Sequence, residues 1–141
     1  MSLIYNEIKD QYTAMEKCAA YLEQQFPAVE ALIHKSNPGM VIFMGCGSSF
    51  SLAKSMADTV NMRTKAHAYA LPAGGAALHA GRYAGMAQGA LIVPVSRSGS
   101  TSEVMFALDA LRAAGCSFTV LSLSCVKDCA LSKQSDLSLE M

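Results

Sequence analysis

Two short segments rich in glycine and hydroxyl side chains carry the chemistry that this sequence offers. They are Gly45-Cys46-Gly47-Ser48-Ser49, the first loop, and Ser96-Arg97-Ser98-Gly99-Ser100-Thr101, the second loop. Each follows an apolar run of strand length and precedes a helix-like segment. In a parallel α/β sheet, free N–H groups at a helix start and short hydroxyl side chains hold anions at the carboxyl ends of strands. The two loops together therefore predict a phosphate pocket.

The loops also allow a simpler interpretation, in which they only turn the chain. Serine and glycine are frequent at strand-to-helix turns, so either loop alone is consistent with that role. Two such loops in one small domain favour the pocket. Gly45, Gly47 and Gly99 would let the backbone approach a ligand closely, while the hydroxyl groups supply compact donors. Arg97 stays open between contact with the anion and a solvated position.

Other phosphate and catalytic motifs fit these residues poorly. The dinucleotide fingerprint needs a third glycine where Phe50 stands, and no Gly-Lys-Ser/Thr triplet marks a nucleotide P-loop. No Gly-x-Ser-x-Gly segment of the hydrolase type surrounds any serine. The serines are therefore predicted to bind an anion rather than to attack a substrate.

The composition predicts one domain without a strong electrostatic field. The 141 residues are 52% apolar and 16% charged, which is enough for one core and too little for two ordinary domains. Eleven basic and eleven acidic side chains cancel, so neither nucleic acid nor an anionic membrane is favoured as a partner. The amino end is too polar for a secretory signal, and no apolar run approaches the roughly 20 residues of a membrane span. We expect a cytoplasmic protein.

The cysteines predict free thiols rather than disulfides or a metal site. Their odd number and mostly apolar surroundings fit buried thiols. The five are Cys18, Cys46, Cys116, Cys125 and Cys129. No histidine or further cysteine completes a zinc-like cluster around Cys125 and Cys129. We therefore expect no metal and no cofactor.

Apolar spacing predicts two helices before the first strand. Apolar residues recur at helical spacing from Ile4 to Phe26, which indicates one long amphipathic helix. Pro27 fits the first turn of a second helix, which Asn37-Pro38-Gly39 ends. This helical segment, residues 1–38, precedes a predicted domain at residues 39–141.

Five apolar runs alternate with helical patterns in the rest of the chain. The predicted strands cover residues 40–44, 65–69, 90–95, 117–123 and 137–141. Helical patterns follow the first loop at 50–60 and the second loop at 104–112, where Gly115 suits the helix end. The alanine-rich stretch that reaches Tyr83 predicts neither helix nor strand.

This alternation predicts an α/β fold with a five-stranded parallel sheet and right-handed crossovers. We expect a three-layer sandwich with the flavodoxin-like strand order 2-1-3-4-5. That order places the ends of strands one and three beside each other at the switch point. The first and second loops follow those two strands, so they are expected to meet at one crevice.

The loops resemble those of the sugar isomerase (SIS) domain family of phosphosugar-binding proteins. The family pattern reads roughly Gly-x-Gly-Thr/Ser-Ser after the first strand and Ser-x-Ser-Gly-x-Thr after the third. The matching residues are Gly45, Gly47, Ser48, Ser49, Ser96, Ser98, Gly99 and Thr101. Glu7-Ile8-Lys9-Asp10-Gln11 resembles the segment before the isomerase half of glucosamine-6-phosphate synthase, although Tyr12 replaces the usual proline. Ser135-Asp136 resembles the pair that commonly introduces the fifth strand.

The resemblance implies a sugar phosphate ligand. By this resemblance, the phosphate of a ketose or aldose 6-phosphate would be held by Ser48, Ser49, Ser96, Ser98 and Thr101. Arg97 and Ser100 depart from the synthase branch, where Gln and Glu are common at these positions. The nearest branch is that of the ketoamine (fructosamine) 6-phosphate deglycases and related phosphosugar isomerases.

The chain departs most from the family in its catalytic groups. Family enzymes generally carry a catalytic Glu beyond the fifth strand, and the synthase-like ones carry a second SIS half. Isomerisation needs a base that moves a proton between C1 and C2 and an acid that assists ring opening. Glu103 instead fits a helix-dipole role, and His34, His67 and His79 fit structural or solvated roles. We expect this chain alone to be incomplete as an enzyme.

Three functions are consistent with these residues. The first is the SIS half of a phosphosugar aldose-ketose isomerase or ketoamine-6-phosphate deglycase. The second is a non-catalytic SIS module that senses a sugar phosphate. The third is an assembly domain whose loops stay empty. Because the fifth strand would leave an open sheet edge, we expect a homo-oligomer or a second SIS half to cover it.

Overall fold

One long helix, α1 (Leu3–Ser36), opens the computed structural model, which describes residues 3–141. The prediction of two helices that part at Pro27 is wrong, because α1 continues through this residue. Interior proline removes a backbone hydrogen bond and crowds the preceding turn. Leu22 before Pro27 and Leu32 after it pack against the same face of the sheet, so tertiary contacts hold both halves on one axis.

The remaining elements alternate as the sequence predicts. Those before the third strand are β1 (Val41–Gly45), α2 (Ser48–Arg63), β2 (Ala68–Pro72), α3 (Ala73–Leu78) and α4 (Ala80–Ala87). Those that follow are β3 (Leu91–Pro94), α5 (Ser102–Ala113), β4 (Thr119–Ser124), a 3₁₀ turn (Ser132–Gln134) and β5 (Leu137–Glu140). The alanine-rich stretch without a clear pattern forms α3 and α4.

The second strand begins later than the predicted residues 65–69. The side chain of Asn61 holds the start of β2 with two hydrogen bonds to the backbone of Ala68. Its amide nitrogen donates to the Ala68 carbonyl at 2.9 Å, and its oxygen accepts from the Ala68 N–H at 2.8 Å. Apolar spacing carries no signal for such a contact between a helix and a strand, so it does not locate the start of β2.

The five strands form one parallel sheet in the order β2-β1-β3-β4-β5, which confirms the predicted topology. Alternate side chains enter two apolar layers. On one face, Ile42 and Ile92 pack with α3, α4 and α5. On the other face, Phe43 and Val93 pack with α1 and α2. The three-layer arrangement follows from this alternation, because side chains of successive strand residues point to opposite faces.

The position of β5 depends on a carboxylate just before it. Asp136 Oδ2 accepts a hydrogen bond from the Val120 N–H at 2.8 Å, and the Asp136 N–H donates to the Val120 carbonyl at 2.9 Å. These bonds continue the parallel pairing of β4 with β5. The Ser135-Asp136 pair therefore stands where the resemblance placed it, at the start of the fifth strand.

None of the helices within residues 3–141 combines the length and hydropathy that a bilayer crossing requires.

The Asp136→Ala variant should unfold more easily than the wild-type chain. It leaves the N–H of the buried Val120 without its carboxylate partner, which costs about 1–3 kcal/mol of the free energy of unfolding. Urea titration followed by circular dichroism measures the change. Asp136→Asn is the matched control, because its amide oxygen still accepts and its loss should be smaller. Equal stability of all three chains would contradict the assigned role.

Candidate functional site

The ends of β1 and β3 lie side by side and determine where both loops leave the sheet. Met44 and Pro94 are register partners in the parallel pair. One residue further, the Val95 N–H donates to the Met44 carbonyl at 2.7 Å. The first loop starts at the end of β1, and the second loop follows Val95. The structure thus brings the two loops, which are distant in sequence, together at the carboxyl ends of β1 and β3.

The first loop passes tightly into α2 because Gly45 has no side chain. A Cβ atom at Gly45 would lie 2.8 Å from the carbonyl carbon and oxygen of Ser49. Gly47 has φ +53° and forms the N-cap of α2. Ser48 and Ser49 are of a residue type that often caps helices, but both lie inside the first turn of α2. Within residues 3–141, no side chain caps α2. The Ser49 N–H already donates to the Cys46 carbonyl at 3.1 Å, so the Ser48 N–H before it is the one at this helix start that suits a ligand.

The second loop turns around the buried hydroxyl of Ser96. Ser96 Oγ lies 2.7 Å from Thr101 Oγ1 and accepts a hydrogen bond from the Gly99 N–H at 3.1 Å. Gly99 itself has φ +62°, a left-handed conformation that glycine adopts without strain. Ser96 is only 2% exposed, so its hydroxyl shapes the loop from inside.

Ser98 and Thr101 present the hydroxyl groups of this loop that suit an anion. Ser96 Oγ accepts from Gly99, so its own proton can bond Thr101 and leave the Thr101 proton free to donate. Ser98 is exposed, and its Oγ accepts from the Ser100 N–H at 3.3 Å, which leaves the Ser98 proton free. Thr101 is also the N-cap of α5, where no side chain within residues 3–141 caps the first N–H groups.

The connection between β4 and β5, for which the sequence predicts no role at the site, supports the second loop. The Leu131 N–H donates to the Gly99 carbonyl at 2.9 Å, and the Cys125 N–H donates to the Arg97 carbonyl at 3.1 Å. The buried side chain of Cys129 lies directly against Gly99, so a Cβ atom there would overlap its sulfur. The connection between β4 and β5 therefore fixes the shape of the second loop.

The start of α3 forms a third wall beside the first loop. Burial, and beside it the negative charge of Glu103, raises the pKa of the Cys46 thiol above its ordinary value. Backbone hydrogen bonds at Gly74 and Ala73 lower this pKa, but they do not outweigh the two raising effects. Cys46 therefore stays protonated at neutral pH and is a weak nucleophile. The Cys46 side chain thus lies beside the start of α3, and the charge of Glu103 acts on it.

The other predicted residues lie apart from each other or on the surface. Arg97 and Ser100 are exposed on the second loop. The His67 carbonyl accepts a hydrogen bond from the Val41 N–H at the amino end of β1. His67 therefore lies at the opposite end of the strands from the two loops. His34 and His79 are exposed, and His34 pairs with Glu30 at 3.8 Å. Within residues 3–141, no group of three or more His, Cys, Asp or Glu side chains is arranged to hold a metal ion.

Solved structures of several proteins share this fold. The similarity to tagatose-6-phosphate ketose/aldose isomerase from Escherichia coli has a TM-score of 0.83 at 19% identity, over 96% of this chain and 38% of that one. The similarity to the Vibrio vulnificus NanR protein complexed with ManNAc-6P has a TM-score of 0.69 at 22% identity. It covers 99% of this chain and 50% of that one. The similarity to the c3406 protein of Escherichia coli CFT073 has a TM-score of 0.65 at 22% identity. It covers 99% of this chain and 74% of that one. This chain thus spans less than half the length of the tagatose-6-phosphate isomerase.

No curated protein sequence matches the chain. The family model described as SIS domain matches residues 33–141, which include the sheet and both loops. Because this match covers most of the chain, the protein belongs to the SIS domain family.

Proposed function

We propose that this chain binds a sugar phosphate, with the phosphate held between the first and second loops. One observation carries the proposal: at the carboxyl ends of β1 and β3, the starts of α2 and α5 lie beside several short hydroxyl side chains, and no side chain caps either helix within residues 3–141. Membership of the SIS family supports a phosphosugar rather than another anion. The NanR structure, which has this fold, is named as a complex with ManNAc-6P, and this agrees with the same ligand class.

The loop residues divide into donors and residues that shape the loops. We assign Ser48, Ser49, Ser98 and Thr101 as donors to the phosphate oxygens. Ser96 acts through Thr101, because its hydroxyl is already used inside the loop. Each of the two helix starts adds a stabilisation of roughly 0.3–1 kcal/mol for an exposed anion, and more when the anion is partly buried. The site therefore needs no lysine.

The proposed biochemical role is one SIS half of a phosphosugar aldose-ketose isomerase or ketoamine-6-phosphate deglycase. Such chemistry needs an acid and a base close to C1 and C2 of the sugar. His67 lies at the opposite sheet edge, and the Cys46 thiol is held protonated. These placements favour an active site that another SIS half completes. Residues 39–141 are the proposed binding unit, and a cytoplasmic location stays a prediction.

A non-catalytic module that senses a sugar phosphate is the second candidate. The same placements of His67 and Cys46 favour it, since a sensor needs the donors of the pocket and no proton transfer. The two candidates share the ligand and differ in turnover. Incubation of the chain with fructose 6-phosphate, followed by separation of aldose and ketose products, tests the second candidate, because product formation would contradict a module that only senses the sugar phosphate.

Ligand binding should depend on the phosphate and on the hydroxyl groups of the second loop. We expect calorimetric titration to detect fructose 6-phosphate or glucosamine 6-phosphate and not the unphosphorylated sugars. Ser98→Ala with Thr101→Ala removes two donors and should weaken binding by about 1–3 kcal/mol, which is roughly 5–150-fold.

The matched control for this double variant is Ser55→Ala with Thr59→Ala. These hydroxyls are exposed on α2 and bond carbonyls of their own helix, so their loss should leave ligand affinity unchanged. Unchanged affinity in the Ser98 and Thr101 variant, or equal binding of unphosphorylated sugars, would contradict the proposed pocket.

Gly99→Ala should distort the second loop and abolish binding. The added Cβ atom meets the Cys129 side chain in a backbone conformation that already disfavours alanine. Gly89→Ala is the matched control, because Gly89 has φ +69° but a Cβ atom there meets nothing within 4 Å. Urea titration should show a larger loss of stability for Gly99→Ala than for Gly89→Ala, and calorimetry a loss of ligand binding in Gly99→Ala alone. Similar losses in both variants would mean that Cys129 does not support the loop.

A further inference from the structure

Glu103 places a negative charge beside the loop to which we assign phosphate donors. It is the second residue of α5, and Thr101 is the N-cap of that helix. Two residues of chain span at most roughly 7 Å, so the Cα atoms of Glu103 and Thr101 lie close together. Side chains of a helix lean toward its amino end. The exposed carboxylate in the first turn of α5 therefore leans toward the second loop.

The charge of Glu103 also acts on the first loop. It raises the pKa of the Cys46 thiol, after the larger effect of burial. Cys46 stands between the two glycines of the first loop, whereas Glu103 follows the second loop. The influence of this carboxylate thus extends from one loop to the other. A ligand held between the loops is exposed to the same charge.

Within residues 3–141, Glu103 forms no ion pair with a basic side chain. The ion pairs of this part of the chain lie on α1 and between Arg112 and Asp109, and neither includes Glu103 or the exposed Arg97 of the second loop. The Glu103 carboxylate instead accepts a hydrogen bond from the Ser102 hydroxyl at 3.2 Å. Its negative charge is therefore left for solvent or for a ligand.

This carboxylate opposes the binding of a phosphate at the same helix start. Like charges repel, and an acidic side chain in the first turn offsets part of the positive charge that a helix start offers to an anion. Stabilisation of the helix end explains Glu103 without a ligand. A ligand that carries a positive charge besides its phosphate gives the residue a second role, because that charge pairs with the carboxylate and removes the repulsion.

We propose that Glu103 is a specificity residue that selects sugar phosphates with a protonated nitrogen, such as amino sugar or ketoamine phosphates, over those with hydroxyl groups alone. The inference rests on the proposed sugar phosphate site and adds the chemical class of its ligand. In glucosamine 6-phosphate, the nitrogen on C2 and the phosphate on C6 lie on opposite sides of the ring. One such ligand can therefore meet the donors of the loops and a carboxylate beside them. A hydrogen bond from an ammonium group to a carboxylate is stronger than one between neutral groups.

Two matched pairs of ligands test this role by calorimetric titration. Glucosamine 6-phosphate differs from glucose 6-phosphate only in an ammonium group that replaces one hydroxyl. The same holds for 1-amino-1-deoxyfructose 6-phosphate and fructose 6-phosphate. We expect the wild-type chain to bind the amino member of at least one pair about 3–10-fold more tightly, as for a charge-assisted bond that is partly exposed. Glu103→Gln keeps the size of the side chain but removes its charge, so it should equalise the affinities within that pair.

Asp109→Asn is the matched control for Glu103→Gln. It removes one negative charge from an exposed position of the same helix, six residues further from the second loop, and should leave the affinity ratio of each pair unchanged. If Glu103 only stabilised the helix end, Glu103→Gln would lower the free energy of unfolding and leave these ratios unchanged as well. Urea titration followed by circular dichroism measures that loss and checks that each variant folds.

Two results would overturn the role of Glu103. They are equal affinity within both pairs in the wild-type chain, and a preference for the amino member that Glu103→Gln retains. In both cases the phosphorylated sugars still bind, so the proposed site itself stands. Absence of binding by all four ligands would contradict the sugar phosphate site, and the selectivity inferred from it would be wrong as well.

Discussion

The parallel pairing of β1 with β3 is the constraint on which the rest of the structure depends. These two strands are distant in sequence, yet their carboxyl ends are in register, with Met44 paired with Pro94. This register places the two glycine and serine loops side by side, so α2 and α5 both begin at the carboxyl ends of the strands. A shift by one residue would exchange the side chains that β3 sends into the two apolar layers, so the packing of both layers also fixes the relative position of the two loops.

The second loop owes its shape to main-chain bonds and to a cysteine more than to its own exposed hydroxyl groups. Gly99 is held from below by Leu131 and Cys129 and from inside by Ser96. These contacts leave Ser98 and Thr101 free for a ligand. The loop thus packs against the domain on one side and presents polar side chains to solvent on the other.

The sequence predicted the sheet order and the meeting of the loops, because alternating apolar runs and helical stripes depend only on local spacing. It failed where contacts between distant residues decide the outcome. Packing on both sides of Pro27 overrode the helix break, and a side chain of α2 moved the start of β2. Cys129 carried no signal of its role, since nothing in its spacing points to Gly99.

A chain of bonds joins the second loop to the long first helix. The Tyr21 hydroxyl on α1 accepts from the Glu140 N–H at 3.0 Å, and Glu140 Oε1 accepts from the Asp128 N–H at 3.1 Å. Asp128 belongs to the connection through which Leu131 holds Gly99. The end of β5 therefore contacts both the first helix and the segment that holds Gly99, so one strand at the margin of the sheet supports elements on two sides of it.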